Sequence, residues 1–130
     1  MSTAETRVIA GQVLVAGFTG TDAPEDVLQA STRGELAGVI LFKRNLASMH
    51  QIASLIARMA ESAPPDQPLL VAVDQEGGRV ARVTSPVIKL PPMRQLAALG
   101  DPALTERAAK VLAEQLAALG FSMNLSLIHI

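Results

Sequence analysis

Two carboxyls, an amide and two guanidiniums lie within Asp74-Gln75-Glu76-Gly77-Gly78-Arg79-Val80-Ala81-Arg82, directly after the apolar run Leu69-Leu70-Val71-Ala72-Val73. A carboxylate accepts hydrogen bonds from hydroxyls and a guanidinium donates several in a fixed fork, so Asp74 and Arg82 together suit a neutral, hydroxyl-rich ligand such as a sugar. Arg82 stands far enough beyond Asp74 for the chain to fold back and bring the two side by side. The glycine pair permits such a turn, or a close approach of backbone to ligand. Asp74 and Glu76 would face the same way along a continuing strand, and retaining glycosidic chemistry needs two carboxyls about 5–5.5 Å apart. Gly77-Gly78 interrupts the strand which that pairing requires. The same residues also admit a structural account, with Asp74 capping the turn and Glu76, Arg79 and Arg82 forming ion pairs. Spacing alone favours it, because Asp before Gly at a strand end is common turn chemistry.

Other polar groups are less suggestive. Lys43-Arg44-Asn45 follows the apolar run Gly38–Phe42 and reads as solvated loop charge in preference to a ligand contact. His50 falls in the first turn of a helical segment, where an exposed histidine is ordinary. No GxGxxG, P-loop or HExxH pattern occurs, which removes support for nucleotide binding and zincin chemistry. With 2 histidines and no cysteine, a metal site has little to build on.

The elements that must position Asp74 and Arg82 follow from apolar patterning. Val13–Phe18, Gly38–Phe42 and Leu69–Val73 are short apolar runs, and Phe121–Leu125 is a weaker one. Runs apolar on both alternating faces predict strands of a parallel sheet covered on both sides. Between them, Ser48 and Gln51 form a capping box that opens a helix carrying Ile52, Leu55, Ile56 and Met59, stopped by Pro64-Pro65. Asp101 and Pro102 open a second helix with Leu104, Ala108, Val111, Leu112, Leu116 and Leu119 on one stripe and Gly120 at its end. A third runs from about Pro24 to Arg33. The order β, α, β, α, β, loop, α, β predicts an α/β fold, either an open doubly wound sheet or the first half of a (β/α)8 TIM barrel, which complete takes about 250 residues. In both, ligands meet the carboxyl ends of strands, where Asp74 stands.

Composition bounds the function. A chain of 130 residues, 49% hydrophobic and 18% charged, is globular rather than disordered. Its 11 Lys and Arg nearly balance 12 Asp and Glu, with no concentration of one sign, which argues against nucleic acid and an anionic membrane surface as partners. No apolar run approaches the roughly 20 residues of a membrane span. The N-terminal residues lack the pattern of a secretory signal, so the expected location is cytoplasmic.

The strings Gly38-Val39-Ile40-Leu41-Phe42-Lys43-Arg44-Asn45, Val73-Asp74-Gln75-Glu76-Gly77-Gly78-Arg79-Val80-Ala81-Arg82, Leu90-Pro91-Pro92 and Ala118-Leu119-Gly120-Phe121 together resemble the N-terminal part of glycoside hydrolase family three. Within it they most resemble the bacterial β-N-acetylhexosaminidases of cell-wall recycling. The resemblance implies a (β/α)8 barrel and removal of terminal N-acetylglucosamine from peptidoglycan fragments with retention through a glycosyl-enzyme intermediate, without metal or organic cofactor. It also implies that the aspartate and arginine matching Asp74 and Arg82 bind the sugar in the first subsite. The family draws its nucleophilic aspartate and histidine acid/base from loops beyond residue 130, so no catalytic residue is expected here. Residues 1–125 are expected to form a partial barrel domain. Ser126-Leu127-Ile128-His129-Ile130 departs from the family's continuation and reads as a non-native tail, in which His129 is no substitute for the family's histidine. Two other functions fit the residues: a β-glucosidase of the same family, and a non-catalytic sugar-binding α/β module. The paucity of aromatics, 3 Phe with no Trp or Tyr, argues mildly against the module, which commonly needs a stacking platform.

Overall fold

A computed structural model describes residues 2–126. Residues 127–130, including His129 and most of the predicted tail, lie outside the described residues. The chain opens with α1 (Thr3–Gly11), β1 (Val15–Ala16), α2 (Glu25–Thr32) and β2 (Gly38–Leu41). A 3-10 turn at Lys43–Asn45, α3 (Met49–Ser62) and β3 (Leu70–Val73) follow. Then come β4 (Gln75–Gly77), β5 (Val80–Ala81), α4 (Met93–Ala98), α5 (Pro102–Ala118) and β6 (Met123–Asn124). β1, β2, β3 and β6 form one parallel sheet in chain order, and β4 pairs with β5 in a separate antiparallel hairpin. Each sheet strand therefore lies beside its predecessor in that sheet, across a helical connection, which is the pattern of a (β/α)8 barrel's first half and not of a doubly wound sheet whose order reverses.

Helix boundaries follow their chemistry. The Ser48 hydroxyl accepts from the Gln51 N–H at 3.2 Å, as an N-cap should. The Gln51 side chain does not close the predicted box onto Ser48, however; its oxygen accepts from the Ala47 N–H and its amide donates to Thr21 and Asn45 carbonyls. It ties α3 to the loops after β1 and β2. Asp101 caps α5 by accepting from the Leu104 N–H at 2.9 Å. α1, which the apolar pattern did not indicate, has a full capping box between Ser2 and Glu5.

The core lies between sheet and helices. Register pairs Val39 with Val71 and Leu41 with Val73, so these four share one face, and each is at most 2% exposed. They pack with Ile52, Leu55, Ile56 and Met59 of α3 and Leu112 and Leu116 of α5 in one apolar cluster. Val111 of α5, predicted on the same stripe, is exposed. The opposite face is covered less completely: Ile40 is half-buried and Leu70 is 37% exposed. The sequence predicts strands covered on both sides; among the described residues only the helix-facing side of β2 and β3 is fully covered. The edge strand β1 is shorter than the predicted Val13–Phe18, and Val13 and Leu14 lie exposed before it.

Candidate sugar-binding site

β3 is parallel to both neighbours and carries Val73 at its carboxyl end, so Asp74 emerges at the rim of the sheet where barrel ligands sit. The chain then reverses. β4 and β5 pair antiparallel, with Gln75 opposite Ala81 and Gly77 opposite Val80 across an irregular register. The reversal needs its glycines: Gly77 has φ +86 and Gly78 φ +58, a region L side chains rarely adopt. A Cβ on Gly77 would lie 2.5 Å from the Pro91 carbonyl oxygen, and one on Gly78 would lie 2.6 Å from the Pro92 ring. The Gly78 N–H donates to the Leu90 carbonyl at 2.9 Å. The hairpin tip thus seats against Leu90-Pro91-Pro92, so the glycines serve a turn and its packing against protein.

This fold-back brings Arg82 to Asp74, with Nη2 3.6 Å from Oδ2. Among the described residues the carboxylate's partner is this guanidinium, and no turn N–H donates to it. The separation exceeds the 2.7–2.9 Å of a tight charge-assisted hydrogen bond. Arg82 Nε is itself buried without a hydrogen-bond partner among the described residues. Asp74 is buried and Arg82 half-buried, so hydrogen-bonding capacity remains on a pair whose acid is withdrawn from solvent and whose guanidinium is partly open to it. Glu76 is also buried, on β4, while Arg79 is exposed at the turn.

Two residues that spacing did not single out build the frame. Gln75 is 1% exposed, and its side chain pairs with the Val83 backbone in both directions: Nε2 donates to the carbonyl at 2.9 Å and Oε1 accepts from the N–H at 3.0 Å. Asn124 on β6 treats the Gln75 backbone the same way, Oδ1 accepting at 3.0 Å and Nδ2 donating at 3.1 Å. An amide carries the donor and acceptor complement of a peptide unit, so the signal was an amide between two acids; its target depends on tertiary placement.

The Lys43-Arg44-Asn45 stretch divides. Lys43 and Arg44 are exposed, as solvated charge should be, although Arg44 stacks 4.6 Å from the Phe42 ring centroid and donates to the Phe18 carbonyl. Asn45 departs from that reading. It is fully buried, accepts from the Phe42 N–H and donates to the carbonyls of Phe18 and Gly20, locking the loops after β1 and β2 together. His50 is exposed on a cleft of about 430 Å³ beside Thr21, Ser54 and the Asp22–Arg58 ion pair, which no residue of the Asp74–Arg82 segment lines. Among the described residues no group of three or more His, Asp or Glu converges, and no helix is long and apolar enough to cross a membrane.

A parallel sheet grown in chain order, with an acid and a basic residue brought together at its carboxyl rim, has the architecture of an α/β-barrel segment. The chain belongs to glycosyl hydrolase family 3: residues 8–128 match the pattern described as its N terminal domain. A β-hexosaminidase of Stenotrophomonas maltophilia (strain K279a) is 38% identical over 118 residues, which are 86% of this chain and 35% of that protein. The family 3 β-N-acetylglucosaminidase of Paenibacillus sp. str. FPU-7 superposes with a TM-score of 0.82 at 35% identity, covering 96% of this chain and 24% of that one. NagZ of Neisseria gonorrhoeae, solved in complex with N-trifluoroacetyl-D-glucosamine, gives 0.71 at 32% identity over 83% of this chain and 33% of that one. The chain spans about a third of the length of the curated relative.

Proposed function

We propose that this segment supplies the sugar-recognition rim of a retaining β-N-acetylhexosaminidase that releases terminal N-acetylglucosamine from peptidoglycan fragments in the cytoplasm. The carrying observation is the Asp74–Arg82 pair: a buried carboxylate 3.6 Å from a guanidinium whose Nε has no hydrogen-bond partner among the described residues. In the reading, Asp74 accepts hydrogen bonds from ring hydroxyls and Arg82 donates to oxygens of the same sugar. The Asp74 side chain is 11% exposed, so a hydrogen bond that it accepts counts for more than one at the surface. In this reading the nucleophile and the acid/base come from loops beyond residue 130, as the family resemblance implies, and no metal or organic cofactor takes part. Support for the amino sugar comes from the relatives' names and from the N-acyl-glucosamine bound to the Neisseria gonorrhoeae protein. Peptidoglycan as its source and the cytoplasm as its compartment rest on the family resemblance.

The test uses the full-length protein with paired aryl substrates. Turnover of the N-acetylglucosaminide, with the glucoside at least about a hundredfold worse, supports the reading, since a site that hydrogen-bonds a substituent rejects the analogue lacking it by such factors. Equal or better turnover of the glucoside makes it a β-glucosidase and overturns the amino-sugar assignment. Saturable binding of N-acetylglucosamine without turnover of either substrate would make it a sugar-binding module.

A further inference from the structure

We propose that Gln75 is the positioning residue of the Asp74–Arg82 pair, with Asn124 as its anchor on the neighbouring strand; the inference rests on the sugar-binding reading above. Each charged residue stands between two fixed neighbours. Arg82 lies between Ala81, whose backbone registers with Gln75 in the hairpin, and Val83, whose N–H and carbonyl are both taken by the Gln75 side chain. Asp74 lies between Val73, which registers with Leu41 on one side and Asn124 on the other, and Gln75, whose N–H and carbonyl are both taken by the Asn124 side chain.

Backbone pairing of the hairpin stops at Ala81, so the amide of Gln75 extends the ladder by one step where no peptide unit is available. Two-point pairing fixes orientation as well as distance. The consequence is that the backbones, and not mutual attraction, set the 3.6 Å between Asp74 and Arg82. Were the two free to relax, a carboxylate and a guanidinium would close to a forked pair and satisfy each other. Held slightly apart, both keep groups with which to grip a hydroxyl-bearing ring.

The experiment measures the inhibition constant of N-acetylglucosamine and kcat/KM on the aryl N-acetylglucosaminide in the full-length protein. Gln75→Glu keeps shape and the acceptor for the Val83 N–H but cannot donate to its carbonyl; Asn124→Asp does the same to Gln75. Each is expected to weaken the inhibitor about tenfold, the lower end for residues that orient ligand-contacting groups. In an Arg82→Ala background Gln75→Glu, and in an Asp74→Ala background Asn124→Asp, is expected to alter it less than about twofold, because the side chain that each one places is no longer there. A merely structural role would give the same factors in these backgrounds as in the parent and would overturn the proposal. Thermal midpoints identify variants that fold; if Gln75→Glu does not, Asn124→Asp, at an exposed position, decides alone. Unchanged binding in folded Gln75 and Asn124 variants, while Asp74→Ala and Arg82→Ala lose it, overturns positioning only. Unchanged binding in Asp74→Ala and Arg82→Ala overturns the sugar reading and the positioning role with it.

Discussion

The Asp74–Arg82 contact at 3.6 Å is a poor stabilising ion pair, and that weakness is informative at the scale of single residues. Withdrawing charges from water costs free energy that a loose contact does not recover, so the pair contributes little to folding. Accordingly Arg82→Lys, which retains charge and loses the fork, is expected to lower kcat/KM at least about tenfold with a thermal midpoint near that of the parent. Steady-state kinetics beside a melting curve separates the two effects. Asn45 makes the opposite case. Its three hydrogen bonds hold one buried and two part-buried backbone groups, so Asn45→Ala is expected to cost about 2 kcal/mol by chemical denaturation of the full-length protein, from donors and acceptors left unpaired. The sequence pointed to Asp74 and Arg82 through residue type and a turn that could join them. It did not reveal Asn45 or Gln75, because an amide's role depends on which backbone groups the fold brings to it.

At the scale of elements, the well-read segments are those with internal signals. α3 and α5 carry caps and apolar spacing, and their starts fall where Ser48 and Asp101 put them. β2 and β3 are found inside their apolar runs for the same reason. α1 had a legible signal in Ser2 and Glu5, but a helix with a single buried residue, Gly11, shows no apolar stripe to draw attention. The β4–β5 hairpin is too short for periodicity to register, and the Gly77-Gly78 pair marks it only as a turn. The seating of that turn against Leu90–Pro92 yields a prediction. Gly77→Ala forces a Cβ to 2.5 Å from the Pro91 oxygen at φ +86, and a loss of about 2–3 kcal/mol with weakened sugar binding is expected, read by denaturant midpoint and inhibitor titration. For the sheet layer, Met59→Ala removes a fully buried side chain facing β2 and β3 and is expected to cost about 3 kcal/mol in the same denaturation assay, with the inhibition constant unchanged.

At the scale of the molecule, the four-stranded sheet has two outer edges, at β1 and β6, and its less covered face includes Leu70. Val13, Leu14 and Val15 lie exposed at the β1 edge. Open parallel edges beside exposed apolar residues favour association. The isolated 130-residue chain is therefore expected to elute as aggregates in size-exclusion chromatography and to leave an aryl N-acetylglucosaminide unhydrolysed. A monomer that unfolds cooperatively and turns over substrate would contradict both expectations. Alternation of strand and helix disclosed the parallel architecture, and family resemblance chose the barrel over the doubly wound sheet. The exposure of one sheet face was not legible, because local apolar runs carry no information about what lies across a sheet.

Strand order that repeats chain order also bears on synthesis. Each strand leaving the ribosome meets as its neighbour the sheet strand translated just before it, so the sheet can be laid down as translation proceeds, with most closures spanning a single strand–helix unit. The newest strand is then always the one with an unpaired edge, and that edge advances along the chain one repeat at a time.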